Sequence, residues 1–373
     1  MCINCLDLMK KLIKDSILRI HQYEPGMPAE VLKGELSLKG EFSHLASNEN
    51  PLGPSPLAID AIKKSLEDGN LYPDNHCSHL RERIAQHLKI PEENLGVGNG
   101  TTELIFLIGV TFLNLGETFI MSESSFIMAK IVAQIMDCNL IEVPLKDYRH
   151  DFNAISKMVP NDTKLVYLDN PMNPIGTMVT QQEVSRFMED IPEDIVVVFD
   201  EAYFEYANEE NFPNTLRFVQ ERRNVIVLRT FSKMYGLAGF RVGYCVAQEN
   251  FIDALNKAKP PFSVNRFGQI AAAEALKDKA HIQKTKEITE SGKRFFYENF
   301  ERMSVFYIPS ETNFVTIDIK TDAQKMADEL KKRSVIVRPL TMYGKPTFLR
   351  VTIGTPEQNK KFIEIFRQIY SND

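Results

Sequence analysis

Residues 195–203, IVVVFDEAY, and residues 225–233, VIVLRTFSK, decide the fold class. Each opens with a β-branched apolar run of strand length, at 195–199 and 225–230, and closes on reactive side chains: an acid and a phenol in the first, an amine in the second. Strands that are apolar at nearly every position are covered by helices on both faces. Outward from these two, further candidate strands stand at 94–98 (NLGVG), 118–122 (TFIMS), 139–143 (NLIEV), 164–169 (KLVYLD) and 243–247 (GYCVA). Helical stretches separate them, which is the α/β pattern.

Helix punctuation agrees with that reading. Ser55 and Pro56 open a helix that Gly69 closes, and Thr180 with Glu183 makes a capping box. Thr355, Pro356 and Gln358 open a last helix, expected to run to about residue 370. After Pro260-Pro261 the pattern changes to a long helical stretch near 267–300, strands near 304–308, 313–318, 335–338 and 348–353, and a helix near 322–333. This predicts a second, smaller α+β unit. The expected division is an N-terminal arm with part of the small domain at 1–43, a large domain at 44–265 and a C-terminal small domain at 266–373.

Composition narrows the function classes. The 373 residues carry a formal net charge of -6, and no Lys/Arg block is dense enough to neutralise a phosphate backbone, so no nucleic-acid partner is expected. The longest apolar run, Leu104 to Leu115, is about half of the ~20 residues that cross a bilayer and reads as a buried helix. No membrane partner is expected. The N-terminal stretch MCINCLDLM lacks the charge order of a signal peptide, which points to the cytoplasm. Five scattered cysteines fit reduced thiols. The lone Cys2/Cys5 pair and the His76/His79 pair lack further ligands at metal spacing, so no metal site is expected.

In an open α/β sheet, ligands sit beyond the carboxyl ends of the strands. The residues there are Gly98-Asn99-Gly100-Thr101-Thr102-Glu103, Glu123-Ser124-Ser125-Phe126, Asn170 to Pro174, Asp200-Glu201-Ala202-Tyr203, and Phe231-Ser232-Lys233. The GNGTTE turn puts free N–H groups at a helix start, where an anion is favoured. Its GxGxG spacing is not the GxGxxG of a nicotinamide fingerprint. Asp200 is either a partner for a cationic ring nitrogen or a member of a salt bridge or helix cap. Lys233, desolvated at a strand end, has reason to be nucleophilic. Ser232 and Arg241 could complete a phosphate cup.

Taken in order, these segments resemble the fold type I pyridoxal phosphate aminotransferases, and within them the histidinol-phosphate aminotransferase group. The matching stretches are LASNENPLGPSP (45–56), LYPD (71–74), GNGTTE (98–103), NPMNPIG (170–176), FDEAY (199–203), RTFSKMYGLAGFRVGY (229–244), KPPFSVN (259–265) and IVRPLTMYGKPTFLRVTIGTPEQN (336–359). The resemblance implies a large domain with a mostly parallel seven-stranded sheet plus a smaller α+β domain. It implies that Lys233 carries pyridoxal 5'-phosphate as a Schiff base and then moves the proton. By the same match Asp200 pairs with the pyridinium nitrogen, Tyr203 and Asn173 bond the phenolic oxygen, and Phe126 stacks on the ring. Gly100, Thr101, Thr102, Ser232 and Arg241 hold the phosphate. Tyr72 reaches the neighbouring subunit's cofactor, which implies a homodimer. Tyr23, Asn50, Arg338 and Arg350 meet the substrate; without the resemblance both arginines read as surface charges.

Thr102, Met172 and Ile175 depart from the usual pattern, and Phe126 stands where a tyrosine is common. The expected activity is transamination between glutamate and a phosphorylated substrate, with histidinol phosphate and imidazole-acetol phosphate leading. The alternatives are an aminotransferase for another small phosphorylated or aromatic substrate, or a decarboxylase of a phosphorylated amino acid. A cofactor-sensing regulator on the same fold would need a DNA-binding module, for which the chain has no room.

Overall fold

The computed structural model describes residues 12–22, 42–208 and 210–371. Tyr23, Cys2 and Cys5 lie outside the described residues. In chain order the strands are β1 (Ser43–His44), β2 (Leu95–Gly98), β3 (Thr118–Ser122), β4 (Asn139–Val143), β5 (Thr163–Asp169), β6 (Val196–Asp200), β7 (Val225–Thr230), β8 (Gly243–Val246), β9 (Phe306–Ile308), β10 (Phe314–Asp318), β11 (Val335–Ile336), β12 (Arg338–Pro339) and β13 (Phe348–Thr352). Seven of them form one sheet in the order β2-β8-β7-β6-β5-β3-β4. Only β8 runs against its neighbours there.

The continuous apolar runs are explained by two cores, one on each face of this sheet. Val166, Leu168, Val197, Phe199, Val225 and Val227 enter one core, while Leu165, Tyr167, Val196, Val198, Ile226 and Leu228 enter the other. Successive side chains of a strand point to opposite faces, so a strand packed on both sides has little room for a polar residue before its end. Here the ends are Asp169, Asp200 and Thr230.

The smaller unit is a four-stranded antiparallel sheet, β12-β13-β10-β9, packed against helices Lys279–Arg302, Ala323–Lys332 and Pro356–Tyr370. Leu45 enters this core, and β1 pairs in parallel with β11. Four details differ from the sequence reading. The α-helix opened at Pro56 ends at Ser65, and Gly69 lies within the 3-10 turn Leu66–Asn70 that follows rather than closing the helix. The 335–338 strand is two short ones, with β11 pairing to β1 and β12 to β13. The 267–300 stretch breaks into helices Arg266–Ala275 and Lys279–Arg302, because the Asp278 side chain accepts the N–H of His281 and caps the second. The Leu104–Leu115 run forms part of helix Gly100–Phe112, but Phe106, Val110 and Leu115 are exposed rather than buried. Among the described residues no helix is long and apolar enough to cross a membrane.

Candidate active site

A cavity of about 260 Å³ opens at the carboxyl ends of the parallel strands. Thr101, Thr102, Phe126, Asn173, Asp200, Tyr203, Ser232, Lys233 and Arg241 line it. They arrive from the turns after five different strands, so the cavity exists only once the sheet order is set.

One end of the cavity is a cup. Helix Gly100–Phe112 starts there, and its first N–H groups have no partner within the helix. Gly100 has φ +79°, and a Cβ on it would stand 2.5 Å from Arg241 Nη2. Glycine is therefore required at this point, both for the backbone angle and for the guanidinium to close on the turn. Arg241 is held by its own Nη1, which donates to the Ala238 carbonyl at 2.9 Å.

Lys233 Nζ donates to the Ser47 carbonyl at 3.1 Å. Burial lowers its pKa to about 7; Arg350 and Arg241 push the same way, and Glu49 and Asp200 oppose them. Asp200 is buried and its pKa is raised to about 6 by desolvation, although the Tyr167 hydroxyl and the Ala202 N–H both donate to it. The Tyr167 bond, at 2.6 Å, follows from register. Asp169 pairs with Asp200 and Tyr167 with Val198, so Tyr167 lies diagonally across from Asp200 on the same face.

Two donors are oriented by neighbours that the motifs did not reveal. Asn48 Nδ2 donates to the Tyr203 oxygen at 2.9 Å, which leaves the phenolic hydrogen available to the cavity. Arg350 Nη1 donates to Asn173 Oδ1 at 2.6 Å, so the amide's NH2 end is the one left to face a ligand. Arg350 is 6% exposed and also donates to the Ala46 carbonyl, which overturns its reading as a surface charge.

Not every expected residue gathers here. The Asn50 amide turns to the Met234 carbonyl and the Thr285 hydroxyl, and it is not among the lining residues. Arg338 sits opposite Arg350 in register but lines a neighbouring hollow with His21, Lys130 and Met342. Tyr72 is 81% exposed and stacks on Phe262, away from this cavity. Conversely, the sequence reading did not single out Asp169, Glu49 or Ser47, which line the cavity, or Tyr167 and Asn48 behind it.

Comparison with known proteins shows the family to which the chain belongs. The model for aminotransferase class I and II matches residues 41–366. The histidinol-phosphate aminotransferase of Moorella thermoacetica is 43% identical over 357 residues, covering 95% of this chain and 92% of the relative. That of Caldicellulosiruptor saccharolyticus is 41% identical, covering 96% and 100%. The histidinol-phosphate aminotransferase of Sinorhizobium meliloti, solved in complex with pyridoxal-5'-phosphate, matches with a TM-score of 0.87 at 26% identity over 96% of this chain and 98% of that one. An L-threonine-O-3-phosphate decarboxylase from Porphyromonas gingivalis has the same fold at 21% identity, so the fold alone does not select the bond that is broken. On the matched length and the identity of its relatives, the chain belongs to the aminotransferase class I and II family.

Proposed function

We propose that this protein is a pyridoxal 5'-phosphate-dependent aminotransferase that exchanges an amino group between glutamate and histidinol phosphate or a close phosphorylated relative. The observation that carries the reading is one cavity holding an anion cup, a buried acid and an amine with a pKa lowered to about 7. The cup formed by the Thr101 and Thr102 amides, Ser232 and Arg241 suits a phosphate monoester, and Gly100 leaves it the necessary space.

Pyridoxal phosphate, when bound, supplies an electron sink for the charge left on the substrate carbon. The remaining work is the protein's. Lys233 takes and returns the proton at that carbon. Asp200, with Tyr167 behind it, would hold the ring nitrogen in its protonated form by offering a carboxylate. Tyr203 and Asn173 would hold the ring by its oxygen, and Phe126 would cover a ring face. Arg350, and Arg338 beside it in register, suit the substrate's acidic groups, because a planar guanidinium binds carboxylate or phosphate through two bonds.

A dimer and a cytoplasmic location belong to the same proposal. Exposed Tyr72 stacks on Phe262, and the next residue, Ser263, bonds Glu103 on the helix that exposes Phe106 and Val110. Such apolar surface suits burial against a second copy, with Tyr72 projecting into its site. Cys77, Cys138 and Cys245 are free thiols, which suits a reducing compartment.

A panel of amino donors and phosphorylated acceptors, read by interconversion of glutamate and 2-oxoglutarate, tests the activity. Release of carbon dioxide in place of a keto acid would refute transamination and leave the cofactor assignment standing.

Two further results are expected. Only the neutral amine attacks an aldehyde, so uptake of pyridoxal phosphate by the apoprotein should quicken as pH rises through about 7 and then level off. A lysine of ordinary pKa would instead show a rise continuing toward 10.5. Tyr167→Phe removes the hydroxyl donor from Asp200 and should raise that acid's pKa further, at a cost of about 1.5–3 kcal/mol for a hydrogen bond to a charged group. The check is a shift of the acid limb of the pH–rate profile to higher pH, with the fold unchanged by circular dichroism.

A further inference from the structure

Asp169 ends β5, one strand over from Asp200 and paired with it in register. The residue is 3% exposed and lines the cavity, yet the chemistry above gives it no task. Holding a carboxylate there is unfavourable unless donors meet it. Its Oδ2 accepts two main-chain N–H groups, from Asn173 at 2.8 Å and from Phe126 at 3.2 Å. These come from two separate loops, the one after β5 and the one after β3.

The backbone of Asp169 is itself tied down. His150 Nε2 donates to its carbonyl at 2.9 Å, and His150 Nδ1 meets the Ser122 hydroxyl at 2.7 Å. Burial lowers the His150 pKa to about 4, so the ring is neutral, with one nitrogen donating and the other accepting from Ser122. Serine, histidine and aspartate in this order have the look of a hydrolytic triad. However, Ser122 is fully buried, and the imidazole bonds a main-chain carbonyl, which suits support rather than attack. The chain of contacts ties the end of β3 to the end of β5.

We propose that Asp169 is a positioning residue: one carboxylate oxygen clamps the two loops so that Phe126 and Asn173 meet the cofactor ring at its face and at its edge together. The inference rests on the cofactor reading above. Because the task is to accept two N–H groups, an uncharged acceptor of the same shape should serve, whereas a role for the negative charge would not survive the same change.

The test reconstitutes the apo forms of wild type, Asp169→Asn and Asp169→Ala with pyridoxal phosphate and measures its dissociation constant. Asp169→Ala should weaken binding about fivefold to a hundredfold, the range for losing two ordinary hydrogen bonds, and Asp169→Asn should stay within about threefold. Asp169→Ser, whose hydroxyl is too short to bridge both loops, replaces the alanine variant if that one does not fold. With Asn173→Ala in a double-mutant cycle, the two losses should be less than additive, since Asp169 then has one fewer group to place. Wild-type affinity in the alanine or serine variant, strict additivity, or equal damage in Asp169→Asn would each overturn the clamp. Failure of the wild-type apoprotein to take up the cofactor would instead overturn the reading on which the clamp rests.

Discussion

Lys233→Ala should yield a protein that folds, takes up pyridoxal phosphate without a covalent bond and has almost no activity. Loss of a positioned acid–base group alone costs about 10²–10⁴-fold in rate, and the covalent attachment is lost with it. The absorbance of the lysine-bound cofactor should be missing from the variant. Lys233→Arg is the sharper control, because a guanidinium stays protonated and cannot act as the nucleophilic base at any working pH. Its buried site already disfavours a cation, with Arg350 and Arg241 nearby, so arginine should also destabilise the cavity where alanine does not. Turnover by either variant above about a hundredth of wild type would remove Lys233 from the role assigned here.

The second large effect is on stability. Glu201 follows Asp200 directly and is fully buried; Arg229 on β7 donates to it through Nε at 2.9 Å and Nη2 at 2.8 Å. Thr215 donates to the other carboxylate oxygen, and the guanidinium lies 3.7 Å above the Phe204 ring. Arg229→Met leaves Glu201 buried without its cation and should cost about 3–5 kcal/mol, measured as a fall in the urea midpoint. Glu201→Leu added to Arg229→Met removes the orphaned charge, so the double variant should recover much of that loss. Because Glu201 adjoins Asp200, the single variant should also lose cofactor affinity. If the double variant is no more stable than the single, the pair is not acting as a buried charge couple.

Several parts of this molecule were legible in the sequence because their determinants are local. The seven strands of the large sheet fall within a residue or two of their predicted spans, since an apolar run with polar ends is a property of one segment. The capping boxes at Thr180 and Thr355 form as their spacing implies, because both partners lie within one helical turn. Lys233, Asp200, Tyr203 and Arg241 stand next to strand ends or glycine turns, and the topology rule brings such positions to one edge.

Other features needed the third dimension. The split at Val337 between β11 and β12 depends on β1, nearly three hundred residues earlier, offering Ser43 and His44 as partners. The run from Leu104 keeps Phe106 and Val110 exposed because of which helix face meets the sheet, which apolarity all round the helix cannot indicate.

The sequence by itself determined which segments become strands, where their reactive ends lie, and which amine, acid and phenol are offered. Only the tertiary structure decided that Tyr167 supports Asp200, that Asn48 orients Tyr203, that Asp169 joins two loops, and that Asn50 turns away. The reason is geometric: each of these contacts depends on the order and register in which separate strands are laid side by side, and no single strand carries that information.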